Sequence, residues 1–341
     1  MKTTLEILYL QQEDVLQAGL MDMDAVLEKV EKAYKMHGNN QIINPVKTMI
    51  NIPEPNEEWK SRFISMPVYI GGDENIAGIK WAAESRNNPK KGQLPMGIDV
   101  IILSDPDTVA PLSIMDGTLI TAMRTAASTG IAAKYLADKS STVLACIGAG
   151  VIGRTTIIAL KKVLPNIEKV QLYDINIDKA RFLADELKDF VKIETASSVE
   201  EAVRDAGIVT TMTTSKKPFV KHSWLNKATL FLQIGSHEAC EDVILASEKI
   251  VVDDWEPIQK DPSMIFKKLL NKKIIDKKNI VNLREIVCGR LENIREKNEF
   301  IFFKSRGLGC LDIMVAKKIY QTAKSKGIGS KLKLWDTPKW I

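Results

Sequence analysis

The stretch Thr142-Val-Leu-Ala-Cys-Ile-Gly-Ala-Gly-Val-Ile-Gly153 constrains the fold more than any other part of the chain. Residues of strand character lead directly into G-x-G-x-x-G, and a helix-like segment follows at once. That order suits a tight strand-to-helix turn. Gly148 makes the turn, Gly150 lets the backbone approach a pyrophosphate, and Gly153 lets the helix pack close on the strand. A phosphate at Gly148-Ala149-Gly150-Val151-Ile152-Gly153 would be held by unpaired N–H groups and the dipole of the helix N-terminus. The helix over 151–163 is stopped by Pro165, and the next strand, Lys169-Val-Gln-Leu-Tyr-Asp174, ends in an acid. Asp174 lies 21 positions after Gly153, where a ribose-binding carboxylate is expected. The bland alternative is a turn that only packs helix on strand. The acid at that distance favours a dinucleotide site. A carboxylate there bonds ribose hydroxyls and repels a 2′-phosphate, and Ile175-Asn-Ile-Asp178 adds no cation, so NAD is expected over NADP.

The motif sits far into the chain, so another unit is built first. Strands are expected at 7–10, 47–52, 62–69, 77–83, 97–103 and 111–115, with helices at 11–18 and 22–34. Residues 53–58 and 85–95 read as loops, and the alanine-rich run from Asp116 to Ala137 as one long helix. From Thr142 onward strands and helices alternate as far as 250–253, the signature of a doubly wound parallel sheet. Ser305-Arg-Gly-Leu-Gly-Cys-Leu-Asp312 then precedes a helix expected over 313–325. The fold class is α/β.

A length of 341 residues suits two domains, and 45% apolar with 27% charged residues is ordinary for a globular protein. No window approaches the ~18 uninterrupted apolar residues of a membrane span, and no signal peptide is read at the N-terminus. Cys146, Cys240, Cys288 and Cys310 are scattered, which argues against a zinc site or a disulfide framework and suits the cytoplasm. With only His37, His222 and His237 present, a His-rich metal site is excluded. The net charge of +5 is mostly lysine, densest over 267–278, where doublets alternate with apolar residues. That is a solvated helical face; a nucleic-acid surface wants more arginine and aromatics.

Four motifs then occur in a fixed order: Met123-Arg-Thr-Ala-Ala127, the glycine turn, Val251-Val-Asp-Asp254, and Ser305-x-Gly307 with Asp312. From Leu8 to about Lys324 the chain resembles the ornithine cyclodeaminase/mu-crystallin family. Its members include archaeal-type alanine dehydrogenases, cyclodeaminases, cyclic-imine reductases and a dehydrogenase of diaminopropionate synthesis. The resemblance implies a Rossmann NAD-binding domain over 129–312. It is inserted in an α+β substrate-binding and dimerisation domain of 1–128 with 313–341, with sheets of two subunits meeting in a homodimer. It also implies a carboxylate clamp of Lys47 in Asn-Pro-Val-Lys, Lys80 in Gly-Ile-Lys, and Arg124 in Met-Arg-Thr. Thr125, Thr213, Ser305 and Gly307 join the expected cofactor contacts. Cations in an enclosed cleft hold a carboxylate by charge-assisted hydrogen bonds, and arginine can do so with two. Lys47 has a bland reading as a strand-edge lysine. Lys80 in an apolar strand and Arg124 in an alanine-rich helix have weaker ones.

One departure bears on the chemistry. The family's cyclodeaminases and alanine dehydrogenases carry Gly-x-Asp after a strand; here Gly235-Ser236-His237-Glu238 follows Leu230-Phe-Leu-Gln-Ile. Imidazole can do acid–base work near neutral pH but offers an ammonium no permanent negative charge. Lys80, His237 and Glu238 are the candidate catalytic residues, with Asp242 as a further source of a carboxylate. The expected activity is that of an NAD(H)-dependent amino-acid dehydrogenase or imine reductase. Its substrate is an amino or imino acid, and the reaction passes through an imine. The alternatives are an ornithine cyclodeaminase and a non-catalytic, mu-crystallin-like NAD(P)H-binding protein. Residues 85–95 and 255–275 are candidate pocket walls.

Overall fold

The computed structural model describes residues 4–340 apart from 56, 93, 261–264, 293 and 297. Part of the 255–275 stretch therefore lies outside the described residues, as does the side chain of Lys267. The chain divides into two compact units, Met1–Arg124 with Leu308–Ile341, and Thr125–Gly307.

The first unit is built on strands β1 (Leu5–Leu10), β2 (Ile42–Ile43), β3 (Thr48–Glu54), β4 (Glu57–Ile70), β5 (Ile76–Ser85), β6 (Gly97–Ser104) and β7 (Pro111–Asp116). The final strand, Ser330–Trp335, joins them in the order final–β1–β7–β6–β5–β4–β2, with β3 also on β4. Among the described residues of this unit, only β1 and β7 pair in parallel. The helix Gly309–Lys326 lies across β4, β5 and β6 and against the helix Met23–Gly38. Alternation along β6 follows from this cover. Asp99, Ile101 and Leu103 are buried, while Ile98 and Val100 on the opposite face are exposed.

Three local expectations are corrected. The loop expected over 53–58 falls largely in strands: Pro53 and Glu54 end β3, Glu57 opens β4 and pairs with Glu54, Asn56 lies outside the described residues, and Pro53, which has no N–H to donate, sits at the register shift between Ile52 and Glu54. The 85–95 loop contains a helical turn, Asn88–Lys91, closed by Gly92 in the left-handed region (φ 67°). The C-terminal helix starts at Gly309, four residues earlier than expected. A Cβ at Gly309 would lie 2.9 Å from Val68 Cγ2, so glycine lets this turn rest on β4, and Cys310 N donates to Asn44 Oδ1 at 3.0 Å.

The second unit holds β8 (Val143–Ile147), β9 (Lys169–Tyr173), β10 (Lys192–Thr195), β11 (Ile208–Thr211), β12 (Leu230–Gln233), β13 (Lys249–Val252), β14 (Ile280–Asn282) and β15 (Ile301–Lys304). They form a wholly parallel sheet ordered β10-β9-β8-β11-β12-β15-β13-β14. This is the α/β doubly wound architecture, and β11, β12 and β15 are buried along their whole length, as central parallel strands must be. The order reverses between β8 and β11, and ligands of such sheets bind outside the strand C-termini at that crevice. Among the described residues no helix is long and apolar enough to cross a membrane.

An ionic staple ties three parts of the first unit. Lys32 Nζ donates to Asp73 Oδ2 and to Glu74 Oε1, both at 2.6 Å, and Lys317 Nζ donates to Glu74 Oε2 at 2.6 Å. Burial pushes the Glu74 carboxyl up, but Lys317 and Lys32 together outweigh it and hold it below its ordinary value. A depressed carboxyl stabilises the fold above its unfolded pKa and loses that contribution as pH falls through the folded one. Glu74→Gln is therefore expected to cost about 2 kcal/mol at neutral pH. The gap should close as the pH falls below 4.5, measured by urea denaturation across the acid range.

Candidate active site

The helix Thr118–Leu136 begins where β6 holds it. Asp99 N donates to Thr118 Oγ1 at 3.1 Å, and Gly117 N donates to Asp99 O at 2.8 Å. Thr121 and Arg124 are three apart and share one face of this helix. Lys80 lies on the helix-covered face of β5, and Asp312 in the first turn of the helix Gly309–Lys326. These elements bring four charges together. Asp312 Oδ1 accepts from Lys80 Nζ at 3.0 Å and from Arg124 Nε at 2.9 Å. Lys80 Nζ also donates to Thr121 Oγ1 at 3.0 Å and lies 3.6 Å from Asp99 Oδ2. The Thr121 hydroxyl makes a short bond to Asp99 Oδ2. All four charged side chains are buried, Asp312 completely.

Charge and burial oppose each other here. Burial pushes the Asp312 carboxyl up, but Arg124 and then Lys80 outweigh it and hold it below the ordinary value. Asp99 goes the other way: burial raises its carboxyl, and Lys80 and the Thr121 bond offset only part of this. Arg124 commits only Nε, leaving both Nη groups without a partner among the described residues. Asp312 Oδ2 is likewise buried and unbonded. A guanidinium fork with its two outer nitrogens available is suited to a carboxylate. Lys47 is half-buried just before β3. Its segment borders the turn that carries Asp312, through the bond from Cys310 N to Asn44 Oδ1.

In the second unit the glycine turn has the geometry its sequence requires. Gly148 has φ 115°, and a Cβ there would lie 2.8 Å from Met212 O. Gly150 caps the helix Val151–Val163, and an added Cβ would meet nothing within 4 Å, so there is open space beside this helix N-terminus. A Cβ at Gly153 would lie 2.1 Å from Gly148 O. Asp174 follows β9 and is tied to the turn, with Oδ2 accepting from Ala149 N at 2.8 Å and Oδ1 from Asn176 N at 2.9 Å. It lines a cleft with Ile175, Thr195 and Ser197. Arg181 lines it too, 3.7 Å from Asp178. The residues fit a dinucleotide: an open helix N-terminus for the phosphates and an acid beside a cleft for the ribose.

The remaining candidates separate into scaffold and open groups. Glu238, weighed as the substitute carboxylate, is completely buried. Its Oε1 accepts from Thr213 N at 2.8 Å and Thr213 Oγ1 at 3.0 Å, and its Oε2 from His237 N at 3.1 Å. It folds back over Gly235, where a Cβ would lie 1.7 Å from Oε1. Glu238 is thus a backbone anchor and not an acid poised for chemistry. Thr213 is fixed by it. Asp242 is similarly engaged, accepting from His222 N at 3.1 Å. His237 is half-buried and held by its backbone, with no hydrogen bond to its imidazole among the described residues. Ser305 and Gly307 form a turn around buried Asp253, whose Oδ2 accepts from Ser305 Oγ at 3.0 Å, Arg306 N at 2.7 Å and Gly307 N at 2.6 Å. Thr125 is buried, one residue after Arg124. Asp99 and Thr121 were not singled out by the sequence, whereas Asp253 belongs to its Val251-Val-Asp-Asp254 motif. An acid facing into a strand, as Asp99 does among Ile98, Val100 and Ile101, was the available signal.

The sequence profile of the ornithine cyclodeaminase/mu-crystallin family matches residues 6–327. The chain belongs to this family. Among its relatives, the N-((2S)-2-amino-2-carboxyethyl)-L-glutamate dehydrogenase of Staphylococcus aureus is 31% identical, covering 97% of this chain and 99% of its own. The Δ1-pyrroline-2-carboxylate reductase of Thermococcus litoralis, solved with NADH and L-proline, superposes with a TM-score of 0.88 at 34% identity, over 95% of this chain and 99% of its own. An archaeal alanine dehydrogenase, a dimer with bound NAD, gives a TM-score of 0.87 at 32% identity, over 97% and 100%.

The glycines of this family member make a paired prediction. Gly153→Ala places a methyl group against the Gly148 carbonyl and should cost about 1–3 kcal/mol of stability. Gly150→Ala, at an ordinary φ of −81° and facing open space, should cost less than about 1 kcal/mol. Chemical denaturation of the two variants beside the parent checks the contrast.

Proposed function

We propose that this chain is an NAD(H)-dependent oxidoreductase acting on the α-carbon–nitrogen bond of an amino or imino acid. The observation that carries this is the convergence of Lys80 and Arg124 on one buried aspartate, with the Arg124 fork left open. A site of that kind suits a carboxylate, and the relatives named above act on or bind amino and imino acids. The Gly148–Gly153 turn would hold the pyrophosphate of the cofactor and Asp174 its ribose, and NAD(H) bound there would supply the hydride acceptor or donor.

The protein's part is to bind, orient and move protons. Arg124 grips the substrate carboxylate through its two Nη groups, and Lys80, bonded to the same Asp312 oxygen as Arg124, adds charge. Asp312 keeps both cations in place. His237 is the proposed carrier of the proton at the substrate nitrogen. As neutral imidazole it accepts a proton when an ammonium is oxidised, and it returns one when an imine is reduced. Glu238 and Asp253 hold the loops that present Thr213, His237 and Ser305–Gly307.

The decisive assay follows NADH absorbance. NADH should be oxidised with ammonia and a 2-oxo acid, or with a cyclic imino acid, and NAD reduced with the matching amino acid. Conversion of ornithine to proline with no net change in NADH would overturn the dehydrogenase reading in favour of a cyclodeaminase. Arg124→Ala should raise the KM of the acid substrate by on the order of tenfold to a hundredfold, the loss of one or two charge-assisted hydrogen bonds. NADH affinity should stay nearly constant. An equal loss of both would assign Arg124 to the cofactor.

The same reading includes a homodimer in the cytoplasm. The uncovered face of the first unit's sheet carries Ile50, Trp81, Ile98 and Val100, each more than a third exposed, and Phe63 stacks on Trp81 at 5.7 Å. A contiguous apolar face of this kind is suited to burial against a second copy. Trp81→Asp should convert the dimer to a monomer by sedimentation equilibrium; an unchanged mass would rule this face out.

A further inference from the structure

We propose that Asp99 takes up a proton when the Lys80–Arg124 cluster binds a substrate carboxylate, so that binding the anion is coupled to binding one proton. This rests on the proposed function, in which the cluster is the carboxylate site.

The charge inventory motivates it. With both acids ionised, Lys80 and Arg124 are balanced by Asp99 and Asp312, and the buried cluster is neutral. A neutral buried cluster offers an incoming anion little net attraction to offset its lost hydration. One proton on either acid gives the cluster the charge of +1 that an anion needs. Asp312 is the wrong place for that proton, because its Oδ1 accepts directly from two cations. Asp99 is the right one. Its nearest cation, Lys80 Nζ, stands off at 3.6 Å, and its side chain accepts instead from the neutral Thr121 hydroxyl.

The surroundings can accommodate both protonation states without rearrangement. With Asp99 ionised, the Thr121 hydroxyl donates to Asp99 Oδ2 while accepting from Lys80 Nζ at 3.0 Å. With Asp99 protonated, its own O–H donates to Thr121 Oγ1, and the Thr121 proton turns to Gly117 O, already 2.9 Å away. Oγ1 has two lone pairs and can accept from Lys80 and Asp99 together. The proton comes from solvent as the ligand enters and returns to it as the ligand leaves. The charged groups facing Asp99 are Lys80 from β5, Arg124 from the helix Thr118–Leu136 and Asp312 from the helix Gly309–Lys326. Asp116 of β7 pairs with Val100 and so belongs to the other face of the sheet. Burial first, and Asp312 among the neighbours, raise the Asp99 carboxyl; an added carboxylate acts in the same direction.

The test is calorimetric and needs no turnover. NADH-saturated protein is titrated with pyruvate and with 2-oxoglutarate in buffers of different ionisation enthalpy, across the neutral to alkaline range. The expected result is net proton uptake approaching one per site, with Kd rising about tenfold per pH unit above the titration of free Asp99. Asp99→Asn should abolish the uptake and bind with the tight, acid-side affinity of the parent at every pH. No uptake by the unaltered protein at any pH, or the same uptake in Asp99→Asn, overturns the proposal. The first of these outcomes needs no variant to fold. If neither acid binds while NADH still does, the carboxylate reading of the cluster has failed, and the coupling falls with it.

Discussion

The arrangement of the first unit depends on one completely buried carboxylate, Asp312, held between Lys80 and Arg124. Each of these groups is costly to bury alone, since the effective desolvation penalty of a single ion is several kcal/mol. Together they persist, and the fold around them follows from keeping them together. The helix bearing Asp312 must rest closely on β4 and β5, which Gly309 permits, and the alanine-rich helix must start at β6 so that Thr121 and Arg124 face inward. Removing any member would strand the others. Such a cluster is weak evidence for stability and stronger evidence for a site that needs fixed charges.

Acids play different parts in the two units. In the first, Asp312, Asp99 and Glu74 lie beside cations. In the second, Asp174, Glu238 and Asp253 accept from backbone N–H groups and so fix loops: the glycine turn, the Thr213–His237 pair and the Ser305–Gly307 turn. Those loops lie just beyond the C-terminal ends of β8, β9, β11, β12 and β15, where a doubly wound sheet presents its ligand crevice. The carboxylates that look most reactive in the sequence are therefore largely structural, and the less conspicuous imidazole of His237 is left open.

What was legible in the sequence was what is determined locally. Gly148, Gly150, Gly153 and Asp174 are set by one turn and the next strand, and each has the geometry its spacing implies. Lys80 and Arg124 stood out because a charge in an apolar strand or an alanine-rich helix needs a partner. The partners were harder to find, because Asp312 lies 232 positions from Lys80. The start of its helix was misplaced because Gly307-Leu-Gly309 has the composition of a loop, and only packing on Val68 and Met66 reveals why glycine belongs inside it. The strands β14, β15 and Ser330–Trp335 went unread for related reasons. The first two are short, and the last is exposed along its length and exists by pairing with β1.

The position of the helix Gly309–Lys326 in the chain has a consequence for synthesis. The ribosome makes Lys80, Asp99 and Arg124 long before Asp312, with residues 125–307 in between. At roughly 5–20 residues per second this interval is on the order of ten to forty seconds. During it the first unit lacks one of the two acids that balance its buried cations, the helix that covers its sheet and the strand that pairs with β1. The second unit, being continuous in sequence, is complete first. The nascent protein therefore has a finished parallel sheet while its carboxylate cluster still lacks Asp312.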